Sequence, residues 1–526
     1  MDISQLTLRE KIGQTMMVTN FNGICERFGS MEAFLKAYPI GFIYNGGAIV
    51  GEGLFGKDYM ERPAVKASQF TKCPVLFGGD LESGLVDGKV SKLPSMMNLG
   101  ATDSPELAYE YGKTIGSAAV SNGLKWIFTP VSDLNVNPEN QIIQTRSIGD
   151  DPERATKLLK ELVRGIQDCG VAATFKHFPG LGSENVDSHI APLELPLSKE
   201  EWDGTVRKVY ESLFAEGLDV VMTAHVSLPS YQTPNEDGSY TVATSSKELT
   251  QKLLKDDMNF EGVVVTDALI MGGFSGSSVD LEIESFLAGS DVLLWPSLEY
   301  MDVLEQKILS GEISEERLDD AVNRVLALKK KVGLFDDEPQ EISTECDSDI
   351  STKVAEKSIT LLNNKVGLLP LDPNKIKKIF MVAVTPVERY EIRLPIIEEL
   401  KKLFEERGIE VVFKTDIFLK ELEESKDCDL NLFVIDRPTG IYQGSKDIYG
   451  ENAASVWASQ TSDKSKTLIA TFGNPYIYAK YYRHIETYVN AYDPHPDVFK
   501  AFVKAIFGEI EFQGTTPVEL KPYYKK

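Results

Sequence analysis

Eight short apolar runs recur along the chain up to Leu334: QTMMVTNF, GFIYNG, PVLFGGD, WIFTPVSD, VAATFKHF, VVMTAHV, VVVTDAL and DVLLWP. Each is continuous rather than alternating, as expected of parallel strands buried on both faces. Amphipathic stretches separate them. In DPERATKLLKELVRGI, Asp151 is placed to cap, Pro152 suits a first turn, and Ala155, Leu158, Leu159, Leu162, Val163 and Ile166 form one stripe. KEEWDGTVRKVYESLFAEG and SSKELTQKLLKDDMNF repeat the pattern. The alternation predicts an α/β chain whose first part is a (β/α)8 TIM-like barrel, with an open doubly wound sheet as the competing arrangement.

The polar residues favour the barrel. Asp80, Asp133, His177, His225 and Asp267 each fall at or just after the C-terminal end of a predicted strand. That rim is where barrel enzymes assemble their sites from several strands at once. Any one of these residues alone reads as a satisfied structural group; five at corresponding places read as a site.

From Asp337 to Ser348 the texture changes to the polar run DEPQEISTECDS, a linker or crossing segment. Beyond it, KIFMVAVTP, EVVFKTD, DLNLFVIDRP and TLIATFGNP read as strands, with helical stretches such as RLPIIEELKKLFEERG between them. The expected organisation is a catalytic barrel over 1–337, a linker over 338–352 and a three-layer α/β sandwich over 353–526. GSKDIYGEN lacks the spacing and strand context of a phosphate loop, and His484 and His495 stand alone, which suits structural roles.

With 526 residues the chain exceeds what one hydrophobic core supports, consistent with two domains. Its net charge of -25 argues against nucleic-acid or anionic-membrane partners, both of which call for a basic surface. The five cysteines are scattered and include no CxxC pair, and MDISQLTLREKIGQ has charges where a signal peptide has an apolar core. No apolar run approaches the roughly 20 residues of a membrane span. These features lead us to expect a cytoplasmic protein. Nothing in the sequence sets an oligomeric state.

Two of the five histidines stand within KHFPGLGSENVDSH, from Lys176 to His189, beside a lysine and an aspartate. The chain shows no metal-ligand spacing, no GxSxG elbow and no dinucleotide loop, so neither a metal nor an organic cofactor is expected. What remains is carboxylates and histidines. A carboxylate at a strand end with a separate acid/base group on a loop is the equipment of glycoside hydrolysis by double displacement.

KHFPGLGSENVDSH resembles the KHFPG-x-G-x4-DSH signature of glycoside hydrolase family 3, in its β-N-acetylglucosaminidase branch. GGDLESG resembles the family's D-x-E-G-G stretch, and NLGAT, TPVSDLNVNP, TRSIGDDP, MTAHV and VVVTDALIMGG follow in family order, covering roughly residues 5 to 335. SITLLNNKVGLLPL resembles the start of the second domain.

The resemblance implies that Asp267 is the nucleophile forming a covalent glycosyl-enzyme, that His189 is the general acid/base, and that Asp187 orients it. It implies that Asp80, Arg146, Lys176 and His177 bind hydroxyls of the sugar, with His225 also at the subsite. The chemistry agrees with the pairing. A histidine, with an ordinary pKa of about 6.5, can donate to a leaving oxygen and then accept from water, and an adjacent carboxylate fixes its tautomer.

Some positions depart from the family pattern. Ser83 replaces the first glycine of D-x-E-G-G, Leu181 replaces a common histidine, and Gly88 replaces a sugar-binding arginine. Lys89, next to that gap, is the candidate substitute, although a point charge does not copy a planar fork. The expected activity is that of a retaining exo-β-N-acetylglucosaminidase acting on small saccharides such as cell-wall or chitin fragments. A β-glucosidase or other β-glycosidase, a β-GlcNAc phosphorylase and a carbohydrate-binding protein that has lost catalysis are the alternatives.

Overall fold

The computed structural model describes residues 1–44, 67–82, 92–274, 278–336, 347–415, 417–437, 448 and 450–521. Contacts divide the chain into two compact units. The first comprises Met1–Lys92, Ala108–Leu134 and Thr156–Asp347; the second comprises Leu93–Leu107, Asn135–Ala155 and Ser348–Lys526.

In the first unit eight strands lie side by side in one parallel sheet. They are β1 (Met16–Val18), β2 (Phe42–Tyr44), β3 (Leu76–Gly79), β4 (Trp126–Ile127), β5 (Ala172–Phe178), β6 (Val220–Thr223), β7 (Val263–Thr266) and β8 (Leu293–Leu294). Strand β8 pairs with β1 through Met16 and Leu293, and a parallel bridge between Val265 and Val292 closes the ring. The TIM-like barrel expected from the sequence is therefore present. Every residue of these strands is buried, which explains why each reads as a continuous apolar run.

The helix Pro152–Gln167 illustrates why the intervening segments are helical. Asp151 Oδ1 accepts from the Arg154 N–H at 2.7 Å, supplying one of the partners a first turn lacks. Its stripe from Ala155 to Ile166 is at most 3% exposed. Burying each such aliphatic side chain contributes about 1.5–3 kcal/mol before conformational entropy is counted. Gly112 and Gly165 let this helix approach Pro105–Ser121 closely: a Cβ at Gly112 would lie 2.1 Å from the Leu162 carbonyl.

The end of the barrel at which the strands begin is held by structural polar contacts. Lys329 is fully buried, and its ammonium donates to Gln14 Oε1 at 2.6 Å and to the carbonyls of Gly41 and Pro74 at 3.0 and 2.7 Å. Burial pulls this lysine down to about 8.

The second unit is built on a six-stranded sheet. Its strands are β9 (Thr360–Asn364), β10 (Lys378–Val384), β11 (Glu410–Thr415), β12 (Leu430–Arg437), β13 (Thr467–Gly473) and β14 (Thr487–Asn490). Their order is β9-β14-β13-β12-β10-β11, all parallel except β9. Alternate residues of β10 enter separate cores. Ile379, Met381 and Ala383 pack with Ile397 and Phe404, whereas Phe380 and Val382 pack with Val456 and Tyr482. Helices thus cover both faces, giving three layers. Among the described residues no helix is long and apolar enough to cross a membrane.

Candidate active site

Five of the residues singled out in the sequence, together with Tyr44, lie where the barrel strands end. Tyr44 closes β2, Asp80 follows β3, Lys176 and His177 lie at the end of β5, His225 follows β6 and Asp267 follows β7. Parallel pairing puts all of these strand ends on one rim.

Three buried pairings organise the rim. Lys176, 2% exposed, bridges two carboxylates, lying 2.7 Å from Asp80 Oδ1 and 2.8 Å from Glu82 Oε1. The other oxygen of Asp80 accepts from the Tyr44 hydroxyl at 2.6 Å. Burial raises the Tyr44 phenol well above its ordinary value, and the charges of Asp80, Asp267 and Glu82 raise it further, so it stays a donor. His177 faces Asp133: its Nδ1 lies 2.8 Å from Oδ2, and the Leu181 N–H donates to Oδ1 at 2.7 Å. One carboxylate thus holds both the ring and the loop that follows.

The third pairing is the one the motif suggests. His189 Nδ1 lies 2.6 Å from Asp187 Oδ1, and the same oxygen accepts from the His189 backbone N–H at 2.9 Å. The Asp187 side chain is 1% exposed and that of His189 is 20% exposed, so the carboxylate is buried while the ring keeps access to solvent. A carboxylate acceptor at Nδ1 assigns the proton to that nitrogen and leaves Nε2 to exchange a proton.

The loop that carries this pair is stitched to the loop after β7. The N–H of Gly272 donates to the His189 carbonyl at 2.9 Å, and that of Gly273 donates to the Ser188 carbonyl at 3.0 Å. Only glycine fits there, since a Cβ at Gly272 would lie 2.5 Å from the Ile190 carbonyl and one at Gly273 would lie 2.3 Å from that of Ser188.

Asp267 begins the β7 loop. Its N–H donates to the Thr223 carbonyl at 2.9 Å, and its Oδ1 accepts from the Ala268 N–H at 2.8 Å. Burial pushes its carboxyl up, but the surrounding His177, His225 and His189 rings, together with the Ala268 N–H, outweigh burial and hold it below the usual range. It is therefore an ionised carboxylate.

His225 does not take the sugar-facing place expected of it. Its Nε2 lies 3.0 Å from the Ala268 carbonyl and its Nδ1 lies 2.9 Å from Thr244 Oγ1, so both ring nitrogens are used inside the protein. The side chain is fully buried, which lowers its pKa and keeps it neutral. It braces the turn that presents Asp267. Arg146 belongs to the second unit, where it ends the short turn Gln144–Arg146 and donates to the Ile142 carbonyl at 3.0 Å. Lys89 lies outside the described residues.

Glu82 and Tyr44 have no role in the sequence reading, and Asp133 enters it only as a strand-end carboxylate without a named partner. Glu82 lies two residues past Asp80 in GGDLESG, a spacing that places two carboxylates at one strand end. Asp133 was visible as a strand-end carboxylate, but its histidine lies 44 residues away. A separate cavity of about 640 Å³ opens near Asp219, Gly262 and Lys331, where strands begin, and it contains none of the predicted residues.

Comparison with known proteins places this geometry in context. The family described as "Glycosyl hydrolase family 3 N terminal domain" matches residues 7–328. A Cellulomonas fimi protein named as a β-N-acetylglucosaminidase/β-glucosidase is 28% identical over 473 residues, covering 85% of this chain and 84% of that protein. Among solved structures, a β-glucoside phosphorylase aligns with a TM-score of 0.84 at 27% identity, covering 99% of this chain and 95% of its own. A family 3 β-N-acetylglucosaminidase from Paenibacillus sp. str. FPU-7 aligns with a TM-score of 0.79 at 28% identity, covering 99% and 100%.

Proposed function

Because the chain belongs to glycosyl hydrolase family 3, we propose that it is a retaining exo-β-N-acetylglucosaminidase, releasing terminal non-reducing GlcNAc from small saccharides. The observation that carries this reading is the Asp187–His189 pair, 2.6 Å apart, on a loop tied by two backbone hydrogen bonds to the loop that begins with Asp267.

The mechanism follows from these positions. The Asp267 carboxylate attacks the anomeric carbon while His189 gives its Nε2 proton to the departing glycosidic oxygen, so the C–O bond breaks as the glycosyl-enzyme ester forms. His189, now neutral, takes a proton from water, and the resulting hydroxide displaces Asp267 and restores both groups. Asp187 keeps the ring oriented through both steps and stabilises its charged form. Asp80, Glu82, Lys176 and His177 supply fixed acceptors and donors that orient the sugar ring as it flattens. Among the described residues Cys25, Cys73, Cys169 and Cys428 are buried and form no disulfide, which supports a reducing, cytoplasmic setting.

A second reading is favoured by the likeness to the β-glucoside phosphorylase: glucoside specificity, or phosphorolysis, on the same frame. A histidine acid/base does not repel an incoming phosphate as a carboxylate would, so phosphate can take the place of water in the second step. Assaying nitrophenyl β-GlcNAc and nitrophenyl β-glucoside side by side, with and without phosphate, separates these readings. A GlcNAc preference with free sugar as product supports the first. Glucose preference, or sugar 1-phosphate formed only when phosphate is present, replaces it with the second.

A further inference from the structure

The two loops that carry Asp267 and His189 also hold three large aliphatic side chains facing solvent. Ile190, next to His189, is 57% exposed; Val186, just before Asp187, is 40% exposed; and Ile270, three residues after Asp267, is 67% exposed. Single exposed aliphatics are ordinary on any protein surface. These three are set apart by sharing two short loops, 186–191 and 268–274, that are bound to each other through Gly272 and Gly273. The Gly272 N–H donates to the carbonyl of His189, and a Cβ at Gly272 would lie 2.5 Å from the carbonyl of Ile190.

The chemistry of the site says what such a rim faces. A general acid must reach the glycosidic oxygen, so the leaving group sits beside the acid and departs past it. The residues that pair with one another on the sugar side are charged or hydrogen-bonding: Asp80, Glu82, Lys176 and His177. On the acid's side, the surface side chains nearest in sequence to His189 and Asp267 include the aliphatic Val186, Ile190 and Ile270, beside the exposed polar Asn185. A hydroxyl-rich second sugar would gain little from them, whereas an alkyl or aryl group would remove their surface from water together with its own.

Resting on the glycosidase reading above, we infer that the leaving-group side of this site takes an apolar aglycone. Alkyl and aryl β-glycosides are then better substrates than disaccharides of the same sugar. Val186, Ile190 and Ile270 are specificity-determining residues for that aglycone; none of them touches the reacting atoms.

The test uses the full chain and an alkyl series, methyl, butyl and octyl β-glycosides of GlcNAc and of glucose, alongside the corresponding disaccharides. Simple alcohols leave with similar demand for protonation, so differences in kcat/KM report contact with the aglycone. Fully burying one methylene is worth about fourfold, so even a half-open rim gives a rise of at least about tenfold from methyl to octyl. The disaccharide should fall below octyl. Ile190→Ser combined with Ile270→Ser should bring the octyl-to-methyl ratio to within about threefold, with thermal melting showing whether the variant is folded. A flat series in the wild-type enzyme overturns the inference without recourse to any variant, and so does a rise that the folded double variant keeps. Absence of turnover on every glycoside overturns the glycosidase reading and this inference together; turnover with a flat series overturns this inference alone.

Discussion

The backbone N–H of Gly273 donates to the carbonyl of Ser188 at 3.0 Å, tying the loop that starts with the candidate nucleophile to the residue between Asp187 and His189. A Cβ at Gly273 would stand 2.3 Å from that oxygen and 3.0 Å from His225 Cβ. Gly273→Ala should therefore push the acid/base loop away from Asp267. Displacement on the ångström scale costs about 10²-fold in kcat/KM. Steady-state kinetics and thermal melting on the same sample check this: a large kinetic loss with little change in Tm is expected.

Asp267→Ala removes the group proposed to form the covalent bond. Turnover should fall by several orders of magnitude while GlcNAc binding, measured by calorimetry, persists. Wild-type-like turnover in this variant would assign the nucleophile elsewhere.

His189→Ala should discriminate between leaving groups. Natural saccharides, which need protonation, should lose about 10²–10⁴-fold in kcat/KM, and nitrophenyl glycosides clearly less. Equal losses on both would give His189 another role.

Glu184, three residues before Asp187, gives a pH prediction. Burial, then the charge of Glu194, pushes its carboxyl from an ordinary 4.5 up to about 7. A group whose pKa is higher in the folded state contributes stability that is complete below its unfolded value and lost as pH rises through its folded value. Wild-type Tm should accordingly decline between pH 5 and pH 8, and Glu184→Gln should decline less. Melting curves at the two pH values check it; parallel declines would remove Glu184 from the account.

A purely structural contrast is available at Asp291. Its side chain is fully buried, 2.7 Å from Lys255 and 3.3 Å from Arg317, and it also accepts from the Val264 N–H at 2.9 Å. Asp291→Ala leaves Lys255, itself nearly buried, without this partner, a loss of about 3–5 kcal/mol. Denaturant unfolding should register that loss, while KM of the surviving folded enzyme stays unchanged.

Much of this was legible along the chain because it depends on neighbours in sequence. The eight apolar runs are continuous because both faces of each strand are buried, and the rim residues follow them because a parallel strand can turn only past its end. The pairing of Asp187 with His189 spans two residues and needs only a tight turn. The helix Met96–Thr102 shows where such reading stops. All of its side chains are buried, with Met97 and Ala101 packed against Tyr476, Tyr492 and Val518, and Asn98 bonded to Ser358 and the Ala491 carbonyl at 2.8 Å. Those partners lie hundreds of residues away, and no local pattern points to them.

The sequence by itself determined the strand and helix periods, the strand-end placement of Asp80, His177 and Asp267, and the spacing of the DSH loop, because each is set by short-range geometry. Only the tertiary structure decided that Lys176 bridges Asp80 and Glu82, that His177 rests on Asp133, that His225 braces Asp267 from behind, and that two glycines bind the acid/base loop to the nucleophile loop. Each of those relations joins segments brought together by barrel closure, and the cost of closing such long loops is met by the whole core rather than by any residue in the pair.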